Sequence, residues 1–166
     1  MIGLTGREAA ALREALDDEY RALATYDQVI DDFGPVRPFV NIREAEARHI
    51  AALSRLFEKY GLDLPRNAWP GNVPRFASVA EACRAGVAEE IENARLYERL
   101  LGDVLRADVK AVFRRLQEAS QLRHLAAFKR CLTRGPRKAT GGSPATTKDK
   151  DTDPARLRCR RRTRSH

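Results

Sequence analysis

The stretch Pro38–Tyr60, PFVNIREAEARHIAALSRLFEKY, decides how the chain is read. It contains no helix breaker after Pro38, and its seam runs Phe39, Ile42, Glu46, His49, Leu53, Leu56, Tyr60. The steps alternate three and four, the spacing of a helix face that packs into a bundle core. Glu46 and His49, in Glu46-Ala47-Arg48-His49, stand on that seam where leucine is expected. Residues three apart share a helical face. A buried charge is costly unless it is paired or holds a metal ion. The placement of this pair is therefore the first sign of function.

Working outward, three more helices have the same character. The first runs from Thr5 to Asp32 behind a Thr5-x-x-Glu8 capping box, with a seam of Leu12, Leu16, Glu19, Leu23, Tyr26, Ile30 and Phe33. Gly34-Pro35 ends it. Gly61 is expected to stop the second helix in the left-handed conformation. The third helix starts at Ser78-x-x-Glu81 and runs to Asp103, with a seam of Val79, Cys83, Gly86, Glu90, Asn93, Tyr97, Leu100 and Val104. The fourth is expected to begin at Asp108 as N-cap and reach Thr133. Val109, Phe113, Leu116, Phe128 and Leu132 supply its apolar side, and Gln121-x-x-His124 lies within it.

Between the second and third helices, residues 62–77 contain three prolines and Trp69, the sole tryptophan, expected to pin the loop to the bundle. Sixteen extended residues can span ~50 Å. A helix of this length spans only ~35 Å. The loop can therefore return along the bundle, so the third helix need not run antiparallel to the second. Short, long, short connections describe an all-α, ferritin-like four-helix bundle with one long crossover. The chain also repeats itself. Glu19 precedes Tyr26 by seven residues, Glu90 precedes Tyr97 by seven, and Arg48-His49-Ile50-Ala51-Ala52-Leu53 parallels Arg123-His124-Leu125-Ala126-Ala127-Phe128.

Composition separates body from tail. The formal net charge is +8, and from Arg134 onward eleven Lys/Arg stand against three Asp. Residues 1–133 carry the remaining twenty basic and twenty acidic side chains, so the bundle is neutral and a nucleic-acid-binding body is not indicated. Residues 134–166 have almost no large apolar side chains and are expected to be a disordered basic tail. Cys83, Cys131 and Cys159 form no C-x-x-C pair, which speaks against a zinc ribbon or a disulfide scaffold. Cys83 and Cys131 are expected to be small core residues in a reducing, cytoplasmic protein. No secretory signal or membrane span is apparent.

Glu19, Glu46, His49, Glu90 and His124 come from four different helices and all face inward. Carboxylate-bridged di-iron and di-manganese bundles take one Glu from each of two helices and Glu-x-x-His from each of the other two. The first three helices meet that pattern. The fourth offers Gln121 where a Glu is expected, which should weaken at least one of two Fe or Mn positions. Glu89 is the alternative to Glu90, which the internal repeat favours. Tyr26 and Tyr97 are core aromatics with bonded hydroxyls or outer partners of the ligands. Arg48 and Arg123 are read as solvated flank residues.

Asp18-Glu19-Tyr20 through Phe33-Gly34, Pro38-Phe39-Val40-Asn41-Ile42, Glu46-x-x-His49 and Ala119-Ser120…His124-Leu125-x-x-Phe128 resemble the bacterial and archaeal family called domain of unknown function 2202, in the ferritin-like superfamily. The resemblance covers roughly 5–133. It implies a four-helix bundle with a dinuclear site but no reaction, because that family has none assigned. Rubrerythrins, more distant relatives, reduce peroxide at a di-iron site and use rubredoxin cysteine pairs that this chain lacks.

Three functions are thereby open. The first is a dinuclear Fe or Mn oxidoreductase acting on O2 or peroxide, with an unassigned electron donor. The second is a non-catalytic binding or structural bundle with a decayed site. The third is a DNA-associated, iron-oxidising protein that uses its basic tail for weak nucleic-acid contact. A homodimer is among the expected partners, whereas the third reading requires a large oligomer.

Overall fold

The computed structural model describes residues 3–138. Helix α1 spans Gly6–Phe33, α2 Phe39–Lys59, α3 Val79–Asp103, α4 Ala107–Ala119 and α5 Leu125–Arg134. A π-helical turn, Ser120–His124, joins α4 to α5, so together they form the fourth rod of the bundle. Two short strands, β1 (Val36–Arg37) and β2 (Arg137–Lys138), pair antiparallel.

Side-chain partners fix the direction of each rod. Glu19 meets His49 while Asp27 meets Arg43, so α1 and α2 are antiparallel. Glu19 meets Tyr97 while Tyr26 meets Glu90, so α1 and α3 are antiparallel too. Helices α2 and α3 are therefore parallel, and the chain between them must travel the length of the bundle. The result is an all-α four-helix bundle with the single long crossover of ferritin-like connectivity. Trp69 anchors that crossover by donating its indole N–H to Asp17 Oδ1 at 2.9 Å. Among the described residues, no helix is long and apolar enough to cross a membrane.

The helix ends follow local chemistry. Thr5 and Glu8 form the full capping box, and Gly61 takes a positive φ of 63° where the chain leaves α2. The fourth rod departs from expectation. Its N-cap is Arg106, which gives no side-chain cap, and Asp108 lies in the first turn. There Asp108 accepts from Lys59 Nζ at 2.6 Å and Tyr60 Oη at 2.7 Å. The backbone leading into α4 is held from across the bundle: Glu8 Oε1 accepts the N–H groups of Leu105 and Arg106 at 2.9 and 3.0 Å.

Glu8 thus ties the starts of two helices together. Hydrogen bonding by the Thr5 backbone, opposed by burial and reinforced by Leu105 and Arg106, holds its pKa down at about 2. A depressed carboxylate contributes stability that is complete above its ordinary value and is lost as pH falls toward 2. Glu8→Gln replaces one acceptor oxygen by a donor, so either the Thr5 or the Leu105/Arg106 bonds fail. A loss of about 1.5–3 kcal/mol is expected at pH 7. Denaturant unfolding should show this loss shrinking between pH 4.5 and pH 2.

Two apolar clusters fill the bundle. One contains Leu12, Leu16, Leu53, Phe57, Tyr97 and Phe113. The other contains Tyr26, Phe39, Phe128, Cys83 and Cys131. Gly86 lets α3 and α5 close together: a Cβ there would lie 2.7 Å from the Phe128 ring. That approach explains one correction. Cys83 and Cys131 are not merely small core residues but a disulfide, with Cα atoms 6.3 Å apart. Cys83 lies three residues before Gly86 and Cys131 three after Phe128, so the antiparallel register sets them side by side. The cysteine-based case for a reducing compartment is thereby lost.

The end of α5 falls one residue past the boundary expected at 133. Helix α5 continues to Arg134, and Arg137–Lys138 belongs to the folded body through its pairing with Val36–Arg37. The tail expected to be disordered otherwise lies outside the described residues.

Candidate metal centre

The centre sits between the two apolar clusters, at the level where each rod's seam is interrupted by a polar residue. Glu19, Glu46, Glu90 and His124 are each 3% exposed or less. His49 Nδ1 lies 2.8 Å from Glu46 Oε2 and 3.1 Å from Glu19 Oε2. His124 Nδ1 lies 3.1 Å from Glu46 Oε1 and 3.5 Å from Glu90 Oε1. The five residues thus form two triads, Glu19–Glu46–His49 and Glu46–Glu90–His124. In each, one ligand-type atom per residue lies within 4.8 Å of the others. Glu46 is common to both and gives a different oxygen to each. The imidazoles stack with centroids 5.5 Å apart.

The internal repeat becomes a cross-linked pair of phenols. Tyr97 Oη donates to Glu19 Oε1 at 2.6 Å, and Tyr26 Oη donates to Glu90 Oε1 at 3.0 Å. Each tyrosine therefore orients the carboxylate of the opposite half. Glu89 is not part of the centre: it accepts from Arg21 Nη1 at 2.5 Å on the flank. Arg48 and Arg123 are exposed.

Gln121 is also exposed, which corrects its assignment as a weak ligand or outer partner. The π-helical turn inserts one extra residue, so the inward position one turn before His124 passes to Ser120, which is buried. Such turns are rare within α-helices and recur at functional sites. Here the turn takes Gln121, Leu122 and Arg123 out to solvent while keeping both His124 and Phe128 inside. Ser120 stands four residues before His124, a spacing that also shares a helical face, but the Glu-x-x-His pattern singled out Gln121 at three residues. Leu122 in this turn is apolar yet 64% accessible.

Burial, with the charge of Glu46, pushes Glu19 well above the usual carboxylate range despite its bond to His49. Burial also raises Glu90. Burial works on Glu46 in the same sense, but the two imidazoles outweigh it and hold that group well below its ordinary value. Burial would lower both histidines, yet the carboxylates around them raise His49 to about 10 and His124 to about 9. Tyr26 and Tyr97 are pushed up, first by burial and then by Glu90 and Glu19 respectively, which keeps them as neutral donors.

The donor set fits two hard divalent ions. Carboxylate oxygens with imidazole nitrogen suit iron and manganese. His124 Nδ1 is buried and makes no well-directed hydrogen bond, despite its 3.1 Å approach to Glu46. A cation in front of that nitrogen would satisfy it, as would a proton shared with Glu46. Glu19, Glu46 and His49 would hold one ion, and Glu46, Glu90 and His124 the other.

No family model and no curated protein matches the sequence. Two solved structures share the fold. A hypothetical protein from Methanococcus jannaschii is 23% identical with a TM-score of 0.72, covering 81% of this chain and 84% of its own. A conserved hypothetical protein from Mycobacterium tuberculosis is 19% identical with a TM-score of 0.67, covering 81% of this chain and 96% of its own. At these identities the likeness establishes the bundle architecture alone.

Proposed function

We propose that this is a dinuclear carboxylate-bridged iron or manganese protein, an oxidoreductase acting on O2 or peroxide. The observation that carries the proposal is the division of Glu46: its two oxygens serve two separate Glu–His triads. Two redox-active ions held by Glu19, Glu46, His49, Glu90 and His124 would supply the two electrons that reduction of one O–O bond requires. The protein's part is to hold and shield. Tyr97 and Tyr26 lock Glu19 and Glu90 in orientation, and the two apolar clusters exclude bulk water above and below. A cleft of about 10 Å³ reaches Glu46, Glu90 and Tyr26 between α1 and α3, behind Asp18, Arg21, Glu89 and Asn93. That volume holds about one water. It favours a diatomic substrate or peroxide over anything larger.

The test is turnover by the full chain after anaerobic loading with Fe(II) or Mn(II), followed by peroxide consumption and O2 uptake. The loaded protein should consume one of the two oxidants. Glu46→Ala should reduce the rate to that of unloaded protein, and an unchanged rate sinks the proposal.

One observation favours a second reading. The fourth rod brings Ser120, not a carboxylate, to the remaining ligand position, and both imidazoles already have ion-pair partners. The cluster could then be a self-neutralised structural network. Native chain that retains no Fe or Mn after loading would establish that reading instead.

A further inference from the structure

A second concavity lies at the far end of the bundle from the α1 N-terminus, where Pro38, the end of α5 and β2 meet. It encloses about 260 Å³, and its lining includes Arg37, Asn41, Arg130, Arg134 and Arg137. No carboxylate lines it among the described residues. Some arginines elsewhere on the molecule are paired, as Arg21 is with Asp18 and Glu89, Arg43 with Asp27 and Arg75 with Asp32. Within the described residues, the four arginines here have no ion-pair partner. The Asn41 side chain likewise has no hydrogen bond there.

The fold assembles this ring at a cost. Gly135, at a φ of 75°, turns the chain back after α5 so that β2 pairs with β1. The register places Arg37 directly opposite Arg137. Like charges at directly opposed positions destabilise a strand pair. Arg134 complements the carbonyl end of α5, but that does not account for Arg37, Arg130 or Arg137. Their shared property is the cavity they face.

We infer that this pocket is an anion site for the phosphate group of a small molecule, held by the forks of Arg37, Arg130, Arg134 and Arg137 with Asn41 as an added donor. Guanidinium groups match phosphate geometry with paired, charge-assisted hydrogen bonds. An anion there also screens Arg37 from Arg137 and so should tighten the β1–β2 pairing. Pro38, Ile42, Ala127 and Cys131 also line it, which gives the carrier of the phosphate an apolar surface. The site is independent of the metal centre. It draws Arg134 and Arg137, which composition alone assigns to the tail, into the folded body.

The full chain should be titrated with inorganic phosphate and with pyrophosphate by calorimetry, at constant ionic strength set with sodium chloride. Saturable binding with a rise in Tm is expected. Arg37→Gln with Arg130→Gln, both at exposed positions, should weaken it about tenfold or more. Arg123→Gln, exposed but outside the pocket, should leave it unchanged, and circular dichroism should show every variant folded. Equal weakening in Arg123→Gln would reduce the effect to net charge and overturn the inference. So would failure of both phosphates to bind at millimolar concentration. Binding only of a DNA duplex, with neither small phosphate bound, would overturn it in favour of a backbone-tracking surface.

Discussion

Glu46→Ala is expected to remove both metal ions at once, whereas any other single ligand change should remove one. Native full chain, loaded with Mn(II) without oxygen and desalted, should retain about two ions per chain if the carboxylate-bridged arrangement operates. Glu19→Ala or His49→Ala should leave about one, in the triad of Glu46, Glu90 and His124; Glu90→Ala or His124→Ala should leave about one in the other triad. This asymmetry follows from a single carboxylate whose oxygens lie 2.8 Å from His49 and 3.1 Å from His124. Tyr97→Phe should keep the ion count but weaken the Glu19 position by roughly 10–100-fold, the usual cost of losing a ligand's outer partner. Elemental analysis gives the counts, and circular dichroism shows whether the bundle persists. Two ions retained by Glu46→Ala would refute the bridging assignment. A native count of one ion, lost in Glu46→Ala and in the variants of one triad alone, would mean that only that triad is a metal site.

The residues of the candidate centre were legible in the sequence because each breaks an otherwise apolar seam. Phe39, Ile42, Leu53 and Leu56 are all buried, and the same face carries Glu46 and His49. The internal repeat was informative for the same reason: the seven-residue spacing from Glu19 to Tyr26 and from Glu90 to Tyr97 reappears as two crossed hydrogen bonds. Periodicity failed where it stopped being constant. The π-helical turn moves the inward position from Gln121 to Ser120, and Leu132 ends 40% exposed while Cys131 turns inward. A helical period also says nothing of register between two helices. The Cys83–Cys131 bond therefore follows from the α3–α5 approach at Gly86 and not from either helix alone. Two-residue strands have no period to read, and a Gly-, Pro- and Arg-rich segment looks polar whether or not its backbone pairs. The Thr5–Glu8 capping box was legible, but the second oxygen of Glu8 reaches residues almost a hundred positions away.

Raising the pH is expected to destabilise the metal-free protein and to strengthen metal binding, so the two forms should respond in opposite senses. In the metal-free centre the carboxylates raise His49 to about 10 and His124 to about 9. Unfolded histidine titrates near ~6.5. Groups raised on folding contribute stability that is complete below the unfolded value and is lost as pH rises through the folded one. From these two residues, metal-free stability should therefore fall from pH 6.5 upward, with the loss complete only above about 10. A metal ion needs the same nitrogens unprotonated, so its binding must release their protons. With two imidazole protons displaced, apparent affinity for a pair of ions can rise by up to ~100-fold per pH unit below the histidine pKa values. At fixed free Mn(II) that gain appears as added folding stability. Melting curves taken anaerobically at pH 6.5, 7.5 and 8.5, with and without Mn(II), should show a metal-induced rise in Tm that widens at each step. Paired substitution His49→Gln and His124→Gln should abolish the metal-induced rise at every pH, because each triad then lacks its nitrogen. A Tm rise in the native chain that is the same at all three pH values would mean that the ions bind without these nitrogens, and the two-triad assignment would have to be abandoned.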